Sequence, residues 1–170
     1  MTRTATMVFA LLLSAATPAW ADVTAFLGAN TTPANRQVRG IAVGVGLLFV
    51  GFEFEYANTI DDPTASAPSL KTGMVNVQLQ TPFPLFGLQP YVTTGAGLYS
   101  EELGPQQETG FGLNTGGGVR VSLVGPVQLR VDYRVFVLGG GARNSPAHRD
   151  RKSTRLNSSH IQKSRMPSSA

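Results

Sequence analysis

The chain has 170 residues, of which 42% are hydrophobic and only 14% charged; soluble domains carry about 25% charged residues, so an ordinary well-hydrated globule is excluded. The absence of cysteine excludes disulfides, thiol catalysis, Cys-ligated zinc and a lipidated N-terminal cysteine. The formal charge of +4 lies entirely in the segment from Asp150 onward, and residues 22–149 are close to neutral, so the high pI is no sign of a nucleic-acid partner.

Residues 1–21 read as a secretory leader. Arg3 gives the positive start, Met7 to Ala16 is a short apolar stretch, and Ala19-Trp20-Ala21 is a small-x-small cleavage pattern. Cleavage is expected after Ala21. The apolar stretch is about half the roughly 20 residues a spanning helix requires.

From Asp22 the chain shows period-two alternation, the mark of strands with two unlike faces. Val23–Ala29 and Gly40–Leu47 are weak strands separated by a polar stretch at 30–39. In Val50–Tyr56 one face is Val50, Phe52, Phe54 and Tyr56, and the other is Gly51, Glu53 and Glu55. A long polar connection at 57–70 leads to the strand Lys71–Gln80. Pro82, Pro84 and Pro90 then interrupt the ladder before the strand Pro90–Ser100. Residues 101–109 read as another long polar loop. Phe111–Leu123 sets Phe111, Leu113, Val119 and Val121 against Asn114, Gly116, Gly118 and Arg120, and Val124-Gly125-Pro126 makes a tight turn. Val127–Val137 sets Val127, Leu129, Val131, Tyr133 and Val135 against Gln128, Arg130, Asp132 and Arg134. Gly139-Gly140-Gly141 opens a further long loop.

These are seven strands, most of a length that crosses a bilayer, with long polar loops alternating with short connections. That rhythm belongs to outer-membrane barrels. A soluble lipocalin-like barrel also alternates, with its apolar face inward, but residues 22–149 hold too few charges to wet an exterior. The expected fold is therefore all-β, an up-and-down antiparallel transmembrane barrel, with Glu53, Glu55, Arg120, Arg130, Asp132 and Arg134 lining the lumen. The glycines on those inner faces leave room for long side chains.

GGGVRVSLVGPVQLRVDYRVF, residues 116–136, resembles the penultimate hairpin of small eight-stranded barrels similar to the transmembrane domain of outer membrane protein A and the opacity-type porin-like proteins. The resemblance covers roughly residues 22–138. It implies an eighth strand, ending in an aromatic residue that the barrel-assembly machinery reads, and this strand is expected to be missing. In its place, DRKSTRLNSSH and SRMPSSA, residues 150–160 and 164–170, resemble the in-frame translation of a short-read sequencing adapter. The expected organisation is a leader at 1–21, a barrel at 22–149 and a non-native tail at 150–170.

The function expected is a structural or surface-interaction role in the outer membrane, with long loops outside the cell. A narrow, weakly selective channel is the alternative, and a soluble periplasmic binder stands behind both. No enzyme is expected, because no histidine lies near the loop acids Asp61, Asp62, Glu101 and Glu102, which read as solvated. No catalytic residue, cofactor or metal site is expected. The partners are outer-membrane lipid and the assembly machinery, with no nucleic acid; no motif specifies a surface ligand, and the protein is expected to be a monomer.

Overall fold

A computed structural model of the protein describes residues 20–46, 49–123 and 127–157. Eight antiparallel strands, β1 (Trp20–Asn30), β2 (Arg36–Gly46), β3 (Val50–Thr59), β4 (Ser69–Gln80), β5 (Leu88–Leu103), β6 (Gln106–Ser122), β7 (Val127–Leu138) and β8 (Ala147–Asn157), close into one barrel in chain order. Hydrogen-bonded partners lead from Trp20 through Gly46, Gly51, Gln78, Thr93, Gly116, Arg134 and Arg149 back to β1 at Asn30, ten residues further along. That stagger tilts the strands and sets the width of the barrel, which at eight strands is just filled by side chains.

The strand count corrects the sequence reading, which found seven. β8 pairs with β7 through Phe136↔Ala147 to Val127↔Leu156 and with β1 through Asn30↔Arg149 to Asp22↔Asn157. The barrel thus runs past the expected boundary at residue 149. Arg149, Arg151 and Ser153 point inward and are buried, but the outward positions between them are polar too, so no apolar alternation marked the strand.

The apolar faces point outward. Val23, Val43, Phe54, Val75 and Ala96 form one registered row across β1 to β5, and the first four are about half exposed or more. An outside so apolar suits lipid, and in lipid a sheet must close so that no backbone edge is left unpaired. The same orientation removes the lipocalin-like reading, which needs the apolar face inside.

Connections 31–35, 60–68 and 139–146 gather at one end of the barrel, hereafter the loop end; the connection 81–87 lies at the other, the turn end. The tight turn expected at Val124-Gly125-Pro126 lies outside the described residues. A second correction concerns 101–109, which is no loop. β5 and β6 stay paired up to Leu103↔Gln106, around a two-residue turn in which Gly104 adopts φ 61°. Within 60–68, Asp62 caps the short 3₁₀ turn Pro63–Ala65, accepting from the backbone N–H groups of Thr64 (3.0 Å) and Ala65 (3.2 Å) and from the Thr64 hydroxyl. The Thr64 hydroxyl, with these N–H groups, holds the Asp62 carboxyl below its ordinary range.

Candidate functional site

Alternation sends every second side chain of each strand into the lumen, and the lumen is stratified. Towards the loop end an apolar layer packs Leu70, Met74, Tyr99, Phe136, Leu138 and Ala147 together. Below it lies a layer of charge. Glu53, from β3, pairs with Arg130, with Arg134 at 2.9 Å and with Arg151 at 3.8 Å. Glu55, two residues along the same face, pairs with Arg134 at 3.0 Å, Arg149 at 3.3 Å and Arg151. Asp132, on β7, completes the set with Arg130 at 2.9 Å, Arg134 at 3.4 Å and Arg151 at 2.7 Å. The four arginines are each 1% exposed. Carboxylates and guanidiniums buried this deeply stay charged only because each is paired and hydrogen-bonded.

Aromatic rings line the arginines. The Arg149 guanidinium lies 4.3 Å from the centroid of Phe136 and that of Arg151 4.5 Å from Phe26, a favourable arrangement for a planar cation. Tyr91, on β5, donates to Asp132 at 2.6 Å and carries both Arg120 and Arg130 against its ring.

Five of the six residues expected in the lumen are therefore brought into one network. Arg120 is also buried and inward, and it stands directly opposite Arg130 across β6 and β7. Its guanidinium, however, donates to the side-chain oxygens of Gln78 and Gln80, nearer the turn end. The loop acids divide as well. Glu102 is exposed, 3.9 Å from Lys71, but Glu101 is a buried, inward residue of β5 that accepts from the Arg143 backbone N–H at 3.0 Å, which corrects its reading as a solvated loop acid.

No family model and no curated relative matches the sequence. Solved structures do match it in shape. The N-terminal β-barrel domain of Pseudomonas aeruginosa OprF superposes with a TM-score of 0.62 at 15% identity, covering 81% of this chain and 96% of that one. Neisserial surface protein A gives 0.56 at 17% identity, over 82% and 94%. The outer membrane enzyme PagL gives 0.52 at 11% identity, over 79% and 98%. The chain has the fold of the small eight-stranded outer-membrane barrels.

Within that fold, the lumenal layer needs its glycines. A Cβ built on Gly118 would lie 2.4 Å from the Val131 carbonyl oxygen, 2.5 Å from the Asp132 Cβ and 2.8 Å from the Tyr91 hydroxyl. One on Gly116 would lie 2.9 Å from the Arg134 Cγ and 2.2 Å from the Tyr133 carbonyl oxygen. The two carbonyl oxygens are backbone atoms that cannot swing aside. Gly118→Val is expected to destabilise the barrel by about 1–3 kcal/mol, the cost of overpacking; unfolding in urea from lipid vesicles measures it, and an unchanged midpoint would mean that the lumen is loosely filled.

Sequence reasoning missed Arg149, Arg151, Tyr91 and Gln78. The alternation of Val75, Val77 and Leu79 with Asn76, Gln78 and Gln80 held the signal for the last. Arg149 lay at the expected boundary and Arg151 in the segment set aside. Among the described residues no group of three or more His, Cys, Asp or Glu side chains is placed to hold a metal ion. The carboxylates of Glu53, Glu55 and Asp132 are engaged by arginine, and Asp132 also by the Tyr91 hydroxyl.

Proposed function

We propose that this protein is an outer-membrane barrel with a packed lumen, a non-enzymatic monomer that presents its long loops outside the cell. It is exported behind a leader cleaved after Ala21 and is inserted by the barrel-assembly machinery. The observation that carries the reading is the double closure of the lumen. The apolar layer of Leu70, Met74, Tyr99, Phe136 and Leu138 lies over the charge layer of Glu53, Glu55, Asp132 and their arginines. An ion crossing would have to separate buried guanidiniums from their carboxylates and then pass a greasy constriction, and both steps oppose conduction.

The channel reading requires the opposite, a wetted path with charges free to face the ion. That PagL, a solved neighbour, is described as an enzyme does not change the proposal. His148, the only histidine among the described residues, bonds the Tyr133 hydroxyl at 2.5 Å on the outer face. Planar bilayers containing the folded protein are expected to remain silent. Stepwise conductance whose size changes in Arg130→Ala would overturn the packed-lumen reading in favour of the channel.

A further inference from the structure

β8 fits the inside of this barrel and not its outside. Of its outward side chains, Asp150, Lys152 and Thr154 are all exposed, and His148 lies outward near the loop end. The registered neighbours of the exposed three are apolar on both sides: Asp150 lies between Tyr133 and Ala29, Lys152 between Val131 and Leu27, Thr154 between Leu129 and Ala25. A lysine at the level of Val131 and Leu27 sits inside the apolar belt, where lipid offers no partner and a cation is costly. The charge layer gives an independent sign. Three carboxylates, Glu53, Glu55 and Asp132, face four buried guanidiniums, Arg130, Arg134, Arg149 and Arg151, so this layer holds one cation in surplus, and two of the four come from β8.

We propose that the segment from Asp150 to Asn157 occupies the closing-strand position as a surrogate, and that the barrel closes in the membrane with a different strand, apolar at positions 150, 152 and 154 and bringing one buried cation fewer into the lumen. This rests on the outer-membrane reading of the apolar face. It agrees with the likeness of residues 150–160 to translated adapter sequence.

Two measurements test it. The full chain and its variant Asp150→Leu/Lys152→Leu/Thr154→Val are refolded into zwitterionic lipid vesicles, and the folded fraction is read by heat-modifiable gel migration and circular dichroism. The variant is expected to raise the folded-to-unfolded ratio by at least about thirtyfold, the lower end of the effect of removing a mid-bilayer cation. Sequencing the source DNA in long reads across codon 149 is expected to continue in frame into an alternating strand. Folding of the unaltered chain to the same extent as the variant overturns the proposal. So does a source DNA that encodes residues 150–157 as written, with the chain cross-linking as a dimer through Lys152, because the polar stripe would then be an interface between copies. If the variant has no effect while an arginine at Phe54 is costly, only this proposal fails. If neither matters, the outer-membrane reading fails with it.

Discussion

Replacing Glu55 by glutamine is expected to cost the folded barrel about 3–5 kcal/mol, the usual penalty for breaking a buried ion pair from one side. Glu55 is fully buried and holds Arg134 at 3.0 Å, Arg149 at 3.3 Å and Arg151. Glutamine keeps the size and one carbonyl oxygen, so packing is nearly unchanged; what is lost is the charge that keeps three guanidiniums out of water. Urea unfolding from lipid vesicles reads the loss. A second substitution makes the cause specific: Glu55→Gln with Arg149→Met removes a cation along with the anion and should recover part of the stability, because residues in one ion-pair network do not add. A Glu55→Gln barrel within about 1 kcal/mol of the parent would mean that water screens the network, since exposed pairs are worth no more than that, and the packed-lumen reading would fall with it.

The charge layer was legible because strand parity is strict. Once Phe52, Phe54 and Tyr56 are placed on one face, Glu53 and Glu55 have only the other, and β7 repeats the argument with Arg130, Asp132 and Arg134. Parity gives the face and not the partner. Arg120 and Arg130 are opposite one another in register, but a long side chain leans along its strand, and Arg120 reaches Gln78 and Gln80. The paired arms at Ser100–Leu103 and Gln106–Thr109 were hidden for another reason. Both faces there are polar, so the alternation that lipid imposes is gone while the backbone goes on pairing. β8 is hidden by the same lack of contrast, but at the depth of the belt, where its polar outer face has no such excuse. Pro90 misled in the opposite sense. Its carbonyl accepts from the Thr81 backbone N–H at 3.3 Å, towards the strand β4, which has already ended at Gln80; the missing N–H therefore costs the ladder little, and β5 starts at Leu88, before the proline.

An arginine at Phe54 is expected to destabilise the barrel in lipid by about 2–4 kcal/mol, the cost of a cation near the bilayer midplane. Phe54 is outward on β3, 55% exposed, and registered between Val43 and Val75, so the new guanidinium would have apolar side chains on both flanks and lipid in front. Asn58 lies four residues along the same strand, close to its loop-end terminus at Thr59 and registered with Arg39 and Lys71, where outward charge is already accepted. Asn58→Arg should therefore cost about 0–1 kcal/mol, as at a membrane interface. The contrast between two positions of one strand cancels any general effect of arginine on the sheet and leaves depth as the variable. Measured by urea unfolding from vesicles and repeated in detergent, the difference should shrink as the thick apolar phase is replaced by a deformable micelle. Equal small costs at both positions in vesicles would mean that this face meets water or protein, and the closed sheet would then have to be explained without a membrane.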